Sequence, residues 1–201
     1  VEYVTEIMIL GIIYAKAGGF HMSKVDRRIL KSQEAIKKAV IELMLEKEFD
    51  HITMQEISDR ANVDRKTIYH HYKDKYDLLD KLIGEHLKEL WDICYAESDT
   101  AKVHLTWFEY FESKYAFFSA MLASKGAPYF RNQFLEFVIK DIRDGWDMIE
   151  GKESGLNEEV LVHFFAPAYV GLVEWWFTNG MPYPPRVMEE QVLILLEKNL
   201  S

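Results

Sequence analysis

The stretch ITMQEISDRANVDRKTIYHHYKDKYDLL, residues 52 to 79, constrains the fold more than any other part of the chain. Thr53 followed by Glu56 is a capping box, in which hydroxyl and carboxylate satisfy the first free N–H groups of a helix beginning at Met54. Ile57 and Ala61 then fall on its inward face. Asn62 tolerates a left-handed backbone, and Val63 is an apolar turn residue able to pack between helices. Asp64 is an N-cap for a second short helix, Arg65 to about His71. A third cap, Asp74, opens a longer helix through Leu78, Leu79, Leu82, Ile83, Leu87 and Leu90. Two short helices joined by a tight turn, the second rich in Arg, Lys, Thr, Tyr and His, describe a helix-turn-helix.

Upstream, the segment 26–47 places Ile29, Ala35, Ile36, Ala39, Val40, Leu43 and Met44 on one face at helical spacing. Lys24, Arg27 and Arg28 crowd its start, where positive charge opposes the helix dipole. An arm reaching a polyanion accounts for that cost, whereas Lys37 and Lys38 read as a solvated face. Charge is divided unevenly along the chain. Its net charge is −9, yet residues 22–76 hold 12 Lys+Arg against 10 Asp+Glu. A basic head on an acidic body is the pattern of a nucleic-acid-binding segment joined to a second domain.

The remainder reads as helical throughout, with helices over 100–112, 114–124, 127–150, 157–179 and 185–200. Gly126, Gly151, Gly155 and the NGMPYPP stretch from Asn179 punctuate them. Strand-like alternation is absent over any useful length. The expected fold is therefore all-α: a three-helix helix-turn-helix domain over 22–76, then a larger helical domain over 77–201. Cys94 is the only cysteine, which excludes an intrachain disulfide and fits a reducing, cytoplasmic setting. Neighbouring His70 and His71 diverge by about 100° on a helix and have no carboxylate cluster, so they do not form a metal pair. No nucleophile elbow, phosphate loop, metal motif or cofactor motif is present, and an enzyme is not expected.

The helix spanning 157–179 carries Val160, Leu161, Phe164, Phe165, Ala168, Val170, Leu172, Val173 and Trp176 around most of its circumference. Such a helix must be buried on more than one side, in a core and in a subunit contact. Val192, Leu193, Leu195 and Leu196 on the last helix supply a complementary face. The expected dimer interface comprises Phe164, Phe165, Ala168, Leu172, Trp176, Val192, Leu195 and Leu196.

The run ITMQEIS, RANVD, RKTIYHHYKDKYDLL resembles the DNA-binding domain of TetR-family transcriptional regulators over residues 27–83. In that family's pattern a Gly occupies the turn where Asn62 stands, and a Phe the position of Tyr72. The resemblance implies that the second short helix enters the major groove of a palindromic operator in double-stranded DNA. On this reading Arg65 and Lys66 reach guanine edges or phosphates, and Thr67 a thymine methyl or a phosphate. Tyr69, His70 and His71 meet phosphates or sugars, and Thr53 and Lys75 clamp phosphates alongside the arm formed by Lys24, Arg27 and Arg28. Ile68 and Tyr72 belong to the core. A single head reads few base pairs, so a homodimer is implied.

The family's second domain typically opens a pocket for a small organic effector. Trp107, Tyr110, Phe111, Tyr115, Phe134, Phe137 and Tyr169 are its candidate walls, and Glu174 is a candidate polar group that alternatively faces solvent beside the interface. The stretch YVGLVEWWFTNGMPYPPRVMEEQV, from Tyr169, resembles regulators placed beside dihydroxyacetone-kinase genes. The implied mechanism is release of a repressor from its operator by the effector. The alternatives are an activator or regulator controlled by a protein co-regulator, or a helical interaction protein without DNA binding.

The first 21 residues are an extension of a different character. Their apolar run falls short of the roughly 20 residues that span a bilayer, and no basic segment precedes it, so neither a membrane anchor nor a signal peptide is expected. Ala17-Gly18-Gly19 can be encoded across a bacterial ribosome-binding sequence, with Phe20-His21 as a spacer before Met22. Met22 is then the expected native start, and MSKVDRR the arm of the DNA-binding head; the alternative for residues 1–21 is an extra helix packed on the domain or a dimer arm.

Overall fold

The computed structural model describes residues 27–95, 105–123, 128–147 and 157–200. The extension 1–21, Lys24 and the side chain of Arg27 lie outside the described residues. Within them the chain is helical, with no strand. The elements are α1 (Arg27–Glu46), a 3-10 turn (Phe49–His51), α2 (Met54–Ala61), α3 (Arg65–His71), α4 (Lys75–Tyr95), α5 (Trp107–Ser113), α6 (Tyr115–Ala123), α7 (Pro128–Asp147), α8 (Glu158–Thr178) and α9 (Pro185–Leu200).

The sequence signals act where they stand. Thr53 and Glu56 form the reciprocal capping box, Asn62 adopts φ 52° and ψ 46°, and the Asp64 side chain accepts from Lys66 N–H. Ser58 Oγ donates to Val63 O at 2.6 Å and locks the turn. A second capping box, Thr106 with Glu109, starts α5, so the helix expected from residue 100 begins at Trp107.

The head is built around Ile36, Val40, Leu43, Met44, Ile57, Ile68, Tyr72, Leu78, Leu82 and Ile83, all buried. Ile29, expected to face inward, is exposed: it lies in the first turn of α1, and burial on that helix begins at Ile36. Lys37 departs from the solvated face too, since its half-buried ammonium lies between Glu34 and Glu85 and joins α1 to α4. Arg60 pairs both guanidinium nitrogens with Glu46 at 2.8 Å and ties α2 to α1.

No loop separates head from body at residue 77, because α4 runs on as one helix from Lys75 to Tyr95. Its second half enters a polar knot. Tyr110 Oη shares its one proton between His86 O and Glu89 Oε2, each at 3.1 Å, and Lys114 pairs with Glu89 at 2.9 Å. The His86 ring stacks on Phe117 at 3.8 Å, and burial, aided by the Lys114 charge, pushes its pKa down to about 4. From α7, Tyr129 Oη and Gln133 Nε2 both donate to Asp80 of α4. In the body core edge-on rings join α5 to α7 and α8, α8 packs against α6 and α7, and α9 packs against α5.

Candidate nucleic-acid interface and regulatory body

The exposed surface of α3 assembles the basic and aromatic residues expected of it. Arg65, Lys66, Tyr69 and His70 are exposed, while Thr67 and His71 are half-buried. The Arg65 guanidinium lies over the Tyr69 ring at 5.6 Å and donates to Tyr69 Oη at 3.1 Å. Its other arm points to Gln55 Oε1 at 3.5 Å. Gln55 in turn donates to Asp59 at 2.7 Å. Arg65, Tyr69 and Gln55 thus form a pre-set cluster in which a stacked guanidinium keeps planar donors for a base edge or phosphate. Gln55 was not singled out in the sequence; its exposed position one residue after the start of α2 was the available signal. Arg28 is exposed near the start of α1.

Ile68 and Tyr72 are buried, as expected for core residues. Burial, with the neighbouring His70 and Lys81 charges, holds the His71 imidazole below its ordinary pKa, and Lys81 donates to His71 O at the end of α3.

Two expected phosphate clamps have other partners. Lys75 Nζ donates to the carbonyls of Phe49, Asp50 and Ile52 at 3.0, 2.7 and 3.0 Å. It also lies over the Phe49 and Tyr76 rings, so it pins the 3-10 turn to α4 instead of projecting outward. Thr53 N–H and Oγ1 both donate to Glu56 Oε2 at 2.9 Å, which leaves Thr53 no donor for a phosphate while the box is closed. Glu56 itself is held down to about 2, first by Lys47 and then by Thr53.

The candidate effector residues separate into two groups. Tyr110, Phe111 and Phe134 are fully buried and interlock with Phe118 and Phe130, so they serve as core. Trp107 is also nearly buried, but its ring meets half-buried Phe137 and Tyr169 at 5.6 and 5.5 Å, carrying an aromatic wall outward. Tyr115 is exposed and stacks on Phe177. Glu174 pairs with Arg131 at 3.2 Å across α7 and α8, which accounts for its carboxylate within the subunit.

Sequence reasoning passed over Glu189. One of its carboxyl oxygens accepts from Phe108 N–H, and burial pushes the group up to about 7. The other, Oε2, is shielded from solvent and has no hydrogen-bond partner. Its register on α9, facing the α5 start, is legible only once the helices are packed.

The expected interface set also divides. Trp176 is fully buried, with Nε1 donating to Tyr183 O at 2.8 Å, and Val192 is 6% exposed; both belong to the subunit core because they face α5. Phe164 and Leu195 remain 64% and 55% exposed, with Val160 at 67%. Ala168 is exposed, and Phe165, Leu172 and Leu196 are half-buried. By length and composition alone α8 is apolar enough to cross a membrane. One side of it is core and the other an open apolar stripe. Among the described residues no cluster of His, Cys, Asp or Glu is arranged to hold a metal ion.

Comparisons with known proteins agree with this architecture. Residues 36–82 match the family model of bacterial regulatory proteins of the tetR family, and residues 99–198 match a transcriptional regulator C-terminal region. The chain is 24% identical over 180 residues to YxbF, an uncharacterised HTH-type transcriptional regulator of Bacillus subtilis. That match covers 87% of this chain and 47% of the relative, so the chain spans about half the length of the curated relative it matches. A TetR transcriptional regulator from Streptococcus agalactiae superposes with a TM-score of 0.63 at 25% identity, covering 85% of this chain and 96% of the other. The dihydroxyacetone kinase operon activator DhaS shares the fold at a TM-score of 0.58 and 16% identity, over 83% and 95% of the two chains. NalD of Pseudomonas aeruginosa, the secondary repressor of a multidrug efflux pump, shares it at 0.61 and 19%, over 85% and 96%. The capped helix-turn-helix, the continuous α4 and the two family models converge on one conclusion: the chain belongs to the TetR family of bacterial transcriptional regulators.

Proposed function

We propose that the chain acts in the cytoplasm as a homodimeric repressor that binds a palindromic operator and is released by a small ligand held in its helical body. The observation that carries the DNA-binding part is the exposed Arg65–Tyr69–Gln55 cluster on the capped α3. Arg65 and Lys66 read base edges in the major groove. Tyr69, His70 and the basic arm with Lys24, Arg27 and Arg28 fix register on the phosphates. Thr67 and His71 lie at the edge of that contact. The head spans 22–76 and the regulatory body 77–201.

The open stripe of Val160, Phe164 and Ala168 on α8, continued by Leu195 on α9, supports dimerisation through a four-helix contact between two copies. Effector binding in the body shifts the population towards head spacings that no longer match the operator. A gel shift and footprint against the gene's own upstream DNA, at several salt concentrations, test the reading. Two related protected half-sites with strongly salt-dependent affinity are expected. Absence of binding to any upstream DNA refutes it, and an occupied operator that raises transcription assigns the protein to activation instead.

A further inference from the structure

Asp59 carries a negative charge where two effects disfavour one. It lies in the last turn of α2, where the carbonyl end of the helix dipole repels anions. It is also exposed, and its partner Gln55 belongs to the Arg65 cluster, which meets a polyanion in the proposed function. The neighbouring acids of the head have local roles. Glu56 closes the capping box, Asp64 caps α3, and Asp74 accepts from Tyr76 and Asp77 N–H at the start of α4. The Asp59 carboxylate accepts instead from Gln55 Nε2, four residues earlier, at 2.7 Å.

That bond decides which way the Gln55 amide faces. A carboxylate only accepts, so the amide turns its nitrogen to Asp59 and leaves its oxygen on the other side. There the oxygen meets Arg65, whose Nη1 donates to it at 3.5 Å while Nη2 donates to Tyr69 Oη at 3.1 Å. The 3.5 Å contact is at the outer limit of a hydrogen bond, so it orients the guanidinium more than it holds it. The closer hold comes from Tyr69, whose ring also lies under the guanidinium at 5.6 Å. Without Asp59 the amide is free to turn round and set its own N–H donors against those of Arg65, which drives the fork off its axis.

We propose that Asp59 is a positioning residue for operator recognition: through the Gln55 amide it aims the Arg65 fork at a guanine in each half-site. The inference rests on the reading that α3 enters the major groove, and it names the base and the residue that fixes it. A planar fork of donors matches guanine, whose O6 and N7 are both acceptors; adenine and cytosine offer a donor at that edge, and thymine a methyl group. The exposed negative charge then has a reason. It weakens general attraction to a polyanion and sharpens the choice of base.

Binding selection from a randomised DNA library, with the full chain and its variants, tests the proposal. The parent is expected to select guanine at the position that Arg65→Ala relaxes. Asp59→Leu, which cannot accept from Gln55, is expected to lower the guanine preference there by about threefold or more, out of the roughly 5- to 150-fold that a bidentate arginine supplies. Asp59→Asn keeps an acceptor and loses the charge, so it retains the preference within about twofold. Both variants bind unselected DNA at least as tightly as the parent, because a negative charge has gone. Gln55→Met cuts the same link from its other end; it relaxes the same position, and it decides if Asp59→Leu does not fold. A base other than guanine at the Arg65 position, or equal losses in Asp59→Leu and Asp59→Asn, overturns the assignment. A parent chain that selects no sequence overturns the regulator reading as well, whereas a selected site that Asp59→Leu reads as the parent does overturns this inference alone.

Discussion

Replacing Lys75 with Met separates a structural lysine from a phosphate clamp. Lys75 Nζ holds three carbonyls at 3.0, 2.7 and 3.0 Å, those of Phe49 and Ile52 in part-buried surroundings. Methionine keeps the length of the side chain and removes every donor. Water reaches the exposed Asp50 carbonyl, but the other two lose a charged donor, at about 1–3 kcal/mol each when a buried acceptor is left unmet. A total loss of roughly 3 kcal/mol follows, because the carbonyls retain part of their hydration. In a chain of this size that lowers Tm by roughly 6–12 °C. Urea denaturation followed by tryptophan fluorescence reports too little of this, since all five tryptophans follow the head; circular dichroism and limited proteolysis near the 3-10 turn report it directly. The second readout is the salt dependence of operator affinity at a temperature where the variant is folded. A phosphate clamp would lower the slope of log K against log salt by about 0.9. The structural role predicts an unchanged slope with lost stability. An unchanged Tm accompanied by a shallower slope would sink the reasoning.

Four other outcomes follow from the same geometry. Arg65→Ala should cost about 1–3 kcal/mol of discrimination at one base position, seen as relaxed sequence preference in a binding selection, with Tm nearly unchanged because the guanidinium is exposed. Phe164→Glu should give monomers by sedimentation without unfolding the subunit, whereas Trp176→Ala should destabilise the subunit by about 3–5 kcal/mol through a core cavity. Glu189, raised to about 7 from an ordinary 4.5, binds more protons folded than unfolded between those values, so its contribution to stability falls as pH rises through that window. The Glu189→Gln variant should gain on the parent by on the order of 3 kcal/mol between pH 5 and pH 8 in a pH series of denaturation curves. His86, pushed down to about 4, acts in the opposite sense: its contribution is full above its unfolded value and is lost as pH falls from about 6.5 to 4. The comparison with the variant cancels that term.

The features legible in the sequence are those whose physics is local. Thr53 with Glu56, Asn62 and Asp64 each act within a few residues of themselves, and each adopts the conformation its side chain dictates. The periodic apolar residues of α1, α4 and α8 likewise place about half of the core. The misassignments involve partners distant in sequence. Lys75 reads as a free cation at a helix start until the carbonyls of a turn 23 to 26 residues away are folded against it. Trp176 and Val192 share an apolar pattern with Phe164 and Leu195, and only the position of α5 decides which side of each helix is core. Glu189 looks like its neighbour Glu190 in the sequence; that one of its carboxyl oxygens is shielded and without a partner exists only in three dimensions.

The unbroken α4 has a mechanical consequence. Its 21 residues reach about 30 Å, gripped at Asp80 by α7 and at Glu89 by the Tyr110–Lys114 knot. A rod held in this way tilts more readily than it bends. A tilt of about 10° at its body end carries the other end through roughly 5 Å. In a two-headed assembly whose recognition helices must sit about 34 Å apart to enter successive grooves, that displacement on each side puts both heads out of register together. If the chain works as the proposed effector-released dimer, this helix is the element that would convert a small rearrangement among aromatic rings into a change of span.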